Sequence, residues 1–148
     1  MNTLQQIVYL KALGMMTLNE RVSLQDFCLK LKELKNNEFP QEEFERQLTE
    51  MVNFIFYNLE VNKSFVLDSV IQTLIERFPN LKKKLQLLQI DIYCRIDFPQ
   101  NYLHFVNKYI EENGLDKDIA IAKLNILLTD SNKYQESISE LVTYINKN

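Results

Sequence analysis

FPQEEFERQLTEMVNFIFYNLEVN, residues 39–62, is the stretch that decides the fold class. Pro40 lacks a backbone N–H, which costs nothing in the first turn of a helix. Phe44, Leu48, Met51, Val52, Ile55 and Leu59 then recur at helical spacing and share one face. Phe54 and Phe56 flank that stripe, so the second half is apolar round most of its circumference. A helix of that kind is expected to be surrounded by other helices. Glu42, Glu43, Glu45 and Glu50 point away from the stripe. One end therefore reads as core and the other as an acidic, solvated tip.

Upstream, Leu4, Ile7, Val8 and Lys11 start a first helix, with Gly14 as its expected stop. Ser23 with Asp26 resembles a capping box and opens a second stripe, Leu24, Phe27, Cys28, Leu31 and Leu34, which Asn36-Asn37 break. Lys30, Lys32 and Lys35 stand near the end of that helix, where its dipole favours cations. Downstream, Phe65, Val66, Val70, Ile71, Leu74, Ile75 and Phe78 predict a strongly buried helix ending at Pro79. Leu81, Leu85, Leu88, Ile92 and Ile96 line one face of the next.

From Gln89 to Phe98 apolar residues stand at every second position, which is a strand signal. A helix also accommodates it, with Leu87, Ile90 and Cys94 as a second stripe. No other stretch alternates well enough to be a partner strand, and an unpaired strand leaves its backbone groups unsatisfied. A helix is therefore expected. Asp97-Phe98-Pro99 restarts the chain into a helix with Tyr102, Leu103, Val106, Tyr109 and Ile110 inward, ended by Asn113-Gly114. Asp116 caps DIAIAKLNILL, which is apolar nearly all round and so interior. Tyr134, Ile138, Leu141, Val142 and Ile145 form the narrow stripe of a covering, terminal helix.

These readings predict an all-α fold of about eight helices in successive antiparallel hairpins, as a compact bundle or a short irregular α-solenoid. Phe-Pro recurs at 39–40, 78–79 and 98–99, but without the fixed spacing of a repeat array. With two glycines and three prolines in 148 residues, tight turns are scarce, which argues against a sandwich or barrel. The length suits one domain over 1–148. No run is long enough for a membrane helix and the N-terminal segment lacks the charged start of a signal peptide, so a cytoplasmic protein is expected. Cys28 and Cys94 read as reduced core residues.

The chemistry is sparse. His104 is the sole histidine and has no nucleophile or carboxylate at a motif spacing around it. Two distant cysteines and one histidine do not make a structural zinc site. Gly14 and Gly114 are too few for a phosphate-binding loop, and no Glu-x-x-His pair occurs. No cofactor or metal is expected, and an enzyme with a hidden carboxylate site is the minority reading.

Charge carries the functional expectation. The net charge is −3, and residues 38–62 hold six glutamates against one arginine. A net acidic chain does not look like a general nucleic-acid binder. The expected function is a non-catalytic protein-binding module, in its concrete form an inhibitor or immunity-type protein that neutralises a basic partner such as a toxin nuclease. Two acidic surfaces are candidates for the contact: Glu42, Glu43 and Glu45, and Glu111, Glu112, Asp116 and Asp118. The alternative is a regulatory nucleic-acid binder using Lys82, Lys83 and Lys84. These lysines oppose a helix dipole, as Glu111 and Glu112 do at the end of the next helix, so the two clusters are expected to offset each other. Tyr57, Tyr93 and Tyr144 fall off the main stripes and are further candidates for partner contact, or equally for packing on a neighbouring helix.

Overall fold

A computed structural model describes residues 1–96 and 102–147. The fold is all-α. The described residues form eight α-helices and no strand: α1 (Thr3–Leu18), α2 (Leu24–Lys32), α3 (Gln41–Ile55), α4 (Ser64–Arg77), α5 (Lys82–Tyr93), α6 (Leu103–Asn113), α7 (Lys117–Leu127) and α8 (Gln135–Lys147). The alternating stretch is helical to Tyr93 and turns through Ile96. Asp97 and Phe98, and with them the expected restart at Asp97–Pro99, lie outside the described residues. Contacts group the chain into two compact units, Met1–Leu85 and Gln86–Asn148, with the boundary inside α5.

Hydrogen bonds at the helix ends give the first unit its topology. The side chain of Gln6 and the backbone of Lys35 exchange two bonds of 3.0 Å, so the start of α1 meets the end of α2. The Asn37 N–H donates to Thr3 Oγ1 at 2.7 Å, which places the start of α3 at that same end. Arg77 Nη2 donates to the Leu34 carbonyl at 3.0 Å, bringing in the end of α4. At the opposite end Lys63, just before α4, donates to the Leu18 carbonyl at the close of α1. The chain thus runs up, down, up and down. α1 packs on α2 and on the parallel α3, and α2 packs on α4. Phe44 of α3 meets the Phe78 ring edge-on, centroids 5.2 Å apart.

Phe44, Leu48, Met51, Val52 and Ile55 are all buried, as their spacing predicts. Three expectations for this unit are corrected. α1 does not stop at Gly14 but runs four residues further. A Cβ on Gly14 would lie 2.6 Å from Cδ1 and 2.8 Å from Cγ1 of Ile55, so glycine lets α1 and α3 approach closely. The real stop is a Schellman motif, with Arg21 N–H on the Met16 carbonyl and Glu20 N–H on that of Thr17. Glu20 takes the left-handed position at φ 62°, where glycine is usual.

The buried side of α1 also differs from the expected one. It consists of Thr3, Ile7, Leu10, Gly14 and Thr17, while Leu4 and Val8 are exposed. Threonine serves as core here because its hydroxyl finds a partner without water: Thr17 Oγ1 donates to the Leu13 carbonyl at 2.8 Å. Thr73 in α4 does the same on Ser69. Phe54 and Phe65, read as core, are more than half exposed, and Phe54 instead lies 5.3 Å beneath the Lys11 ammonium.

In the second unit α7 packs against both α6 and α8. Ile119, Ala122 and Ile126 join Ile90, Val106 and Tyr109 in one cluster. Ala120 and Leu127 on the other side meet Leu141, with Tyr134, Ile138 and Ile145 of the covering segment half-buried around them. An all-round apolar helix is thereby covered on two sides, as its sequence requires. Gly114, at φ 82°, ends α6.

Candidate interaction surface

The first acidic cluster stands at the start of α3. Glu42, Glu43 and Glu45 line an open groove of about 610 Å³ with Pro40, Thr49 and Lys84. Two of the three carboxylates are already engaged. Glu43 accepts two bonds from Arg46, and one from Gln47 at 3.0 Å. The Arg46 guanidinium, helped by that amide, holds the Glu43 carboxyl down at about 2. Arg46 also reaches Glu50, so the three groups form one bridged series along α3. Glu45 takes the Lys84 ammonium, which lowers the Glu45 pKa as well. These pairs lie at the surface, where solvent screens them, so they tune the groove and do not hold the fold. Glu42 remains solvated at the groove's edge.

Lys84 has a partner inside its own unit. Its ammonium sits on Glu45 within the first unit. The cationic run Lys82–Lys84 is exposed, but one of its three charges is thereby neutralised.

The second acidic cluster is divided by role. Asp116 caps α7: Oδ1 accepts from the Ile119 N–H at 2.9 Å, and Oδ2 accepts from the Tyr109 hydroxyl at 3.1 Å. Burial, with this donation to Asp116, pushes the Tyr109 pKa up to about 12. Glu112 accepts from Gln86 Nε2 at 2.8 Å. Glu111 and Asp118 are exposed, and Asp118 stands in the first turn of α7, where the dipole favours an anion.

The three candidate tyrosines separate sharply. Tyr57 is 72% exposed. The Tyr144 hydroxyl donates to the Leu115 carbonyl at 3.0 Å. Tyr93 is only 1% exposed and stacks on Tyr102 at 4.0 Å, so of its two readings the structure selects packing within the fold over partner contact. Its hydroxyl finds no partner among the described residues.

Reactive groups do not converge. His104 is exposed against the Phe105 ring. Cys28 and Cys94 are free and half-buried, and burial beside Asp91 pushes the Cys94 thiol up, away from a reactive thiolate. Among the described residues no three His, Cys, Asp or Glu side chains are grouped to hold a metal ion. No described helix is long and apolar enough to cross a membrane.

What the structure does expose is an apolar face on the first unit. Leu4, Val8, Lys11, Met15 and Leu18 follow one another on α1 at intervals of four, three, four and three residues. Leu4, Val8 and Met15 are exposed, Val8 by 57%. At the far end Met15 and Leu18 share a groove of about 210 Å³ with Phe54, Tyr57 and Leu59. Phe54 is 56% exposed. An aromatic side chain carries about 150–250 Å², so Phe54 and Tyr57 alone present roughly 200–300 Å². With the α1 residues added, this reaches the size of the largest apolar patches on soluble monomers, which are often functional. The sequence did hold a signal for it. Two stripes of equal spacing lie one residue apart on α1, and only the second contains a lysine. Compared with known proteins, the chain matches no family model, no curated protein and no solved structure.

Proposed function

We propose that this chain is a non-catalytic protein-binding module, and more narrowly an inhibitor or immunity-type protein that covers the working surface of a basic partner such as a toxin nuclease. The observation that carries the reading is the apolar face of Val8, Met15, Phe54 and Tyr57. Aromatic residues and methionine are enriched in the buried centre of protein interfaces, and charge is depleted there. The acidic groups fit the rim of such a contact, where they steer and orient encounter. Glu42 at the start of α3, and Glu111 and Asp118 in the second unit, are the solvated carboxylates suited to that role. The groove at Glu43 and Glu45 is less suited, because Arg46 and Lys84 already occupy its carboxylates. The nucleic-acid alternative loses support by the same contact, since Lys84 is spent on Glu45.

The test compares the intact chain with a Val8→Asp/Tyr57→Ala variant as bait in extract of the source cell. A protein recovered in equal amount by the intact chain and lost by the variant supports the reading. Circular dichroism must show the variant folded. Recovery that the variant leaves unchanged, or nucleic acid as the sole material retained, overturns it.

A further inference from the structure

We propose, independently of the protein-binding reading, that Asn113–Gly114 is a self-modification site. It converts to aspartyl and isoaspartyl forms only while the end of α6 is open, and so keeps a one-way record of that opening. The sequence supplies the chemistry. Gly114 is the one glycine that follows an asparagine, and both residues are exposed. With no Cβ on Gly114 in the way, its backbone nitrogen can reach the side-chain carbonyl carbon of Asn113. The nitrogen loses its proton to solvent and bonds to Cγ, and Nδ2 takes up a proton and leaves as ammonia. Water then opens the succinimide ring at either of its two carbonyls. One opening leaves aspartate. The other leaves isoaspartate, whose main chain runs through the former side chain and is one carbon longer.

The fold holds both reacting groups away from this step. Asn113 is the last residue of α6, and the Gly114 N–H donates to the Ile110 carbonyl at 2.7 Å. A donated bond favours the protonated nitrogen, which is the unreactive form. The leaving group is held as well. Asn113 Nδ2 donates to the Tyr109 carbonyl and to Gln86 Oε1, each at 3.1 Å. The residues that follow are pinned in turn: the Tyr144 hydroxyl donates to the Leu115 carbonyl, and Asp116 accepts from Tyr109. Ring closure therefore waits for the end of α6 to unwind, a local opening that costs less than global unfolding.

The same residues explain why conversion matters to the fold. Gly114 stands at φ 82°, where glycine is at no disadvantage, and Asn113 satisfies one of the last carbonyls of α6. A good helix stop thus carries the reactive pair. Conversion removes the Nδ2 donor from both of its acceptors. It also sets a carboxylate beside Glu111 and Glu112 at the helix end, where the dipole disfavours an anion. In the isoaspartyl form the added carbon displaces the short connection between α6 and the Asp116 cap. The converted chain closes less readily than the original.

The experiment incubates the full chain at mildly alkaline pH, folded in buffer or unfolded in guanidinium chloride. Conversion is read in the tryptic peptide 109–117 by mass and by enzymatic methylation of isoaspartate. The folded chain should convert at least about tenfold more slowly than the unfolded one, because three hydrogen bonds close the site. Gln86→Ala removes one acceptor and should speed conversion of the folded chain about two- to tenfold, leaving the unfolded rate unchanged. If circular dichroism shows that variant unfolded, Tyr144→Phe, which releases the Leu115 carbonyl, takes its place with the same expectation. The isoaspartyl chain, isolated by ion exchange, should unfold at lower denaturant concentration than the intact chain. Asn113→Asp, which adds the charge without the extra carbon, should fall between them. Equal rates in the folded and unfolded chain overturn the proposal. So does a folded rate that the folded variant leaves unchanged, or an isoaspartyl chain as stable as the intact one.

Discussion

α1 and α7 pose the same problem and resolve it differently. Both are apolar round most of their circumference, a composition that calls for cover on more than one side. α7 obtains it within its own unit, from α6 on one side and α8 on the other. α1 is covered along Thr3, Ile7, Leu10, Gly14 and Thr17, and leaves Leu4, Val8 and Met15 to solvent. An apolar stripe that the fold does not use costs solubility without adding stability. The contrast separates apolar residues that the fold buries from those it leaves to solvent, which hydrophobicity alone does not do.

The largest expected effect tests that separation directly. Ile7→Ala in α1 and Ile119→Ala in α7, both fully buried, should each cost about 2–5 kcal/mol in denaturant unfolding. Val8→Ala, one residue along from Ile7, should change stability by no more than about 0.5 kcal/mol. Comparable losses at Ile7 and Val8 would mean that the outward stripe of α1 is core after all.

Asp116→Ala should follow at about 2–3 kcal/mol. It removes the cap of α7 and leaves the buried Tyr109 hydroxyl without an acceptor. Tyr109 makes a related pH prediction. Its folded pKa of about 12 stands above the ordinary 10, so its contribution is fully present below pH 10 and is lost as pH rises through 12. Tyr109→Phe should lack that alkaline loss and the tyrosinate absorbance step near pH 12. An unchanged alkaline profile would detach Tyr109 from the support of α7.

On the covered side of α1, Gly14→Ala should destabilise by about 1–3 kcal/mol through overpacking against Ile55, although alanine is the better helix former. Ile55→Val should relieve part of that loss, so the pair should show non-additive energies in a double-mutant cycle. A stabilising Gly14→Ala would place the α1–α3 contact elsewhere.

The smallest effect contrasts two tyrosines with equal claims from the sequence. Tyr93→Phe should leave stability unchanged or raise it by about 1 kcal/mol, because it removes a buried hydroxyl with no partner among the described residues. Tyr57→Phe should do nothing measurable to folding. A marked loss at Tyr93 would mean that its hydroxyl is satisfied in solution.

Helical content and the inward faces of α2, α3 and α7 follow from local order alone. Phe27, Leu31, Phe44, Leu48 and Ile119 repeat at a period that only a helix turns into one face, and Ser23 and Asp116 cap helices by reaching their own N–H groups. These are interactions between near neighbours in the chain, so a linear reading contains them. Tertiary structure decided what near neighbours do not determine. It chose between two stripes of α1 that differ by one residue, through the fit of Gly14 to Ile55 and of Thr3 to Asn37, partners 41 and 34 positions away. It placed Lys84 on Glu45 across 39 residues. It also buried Tyr93 and left Tyr57 in water. Shape and charge complementarity between distant segments set these outcomes, and a pattern of hydrophobicity along the chain does not record which segment arrives.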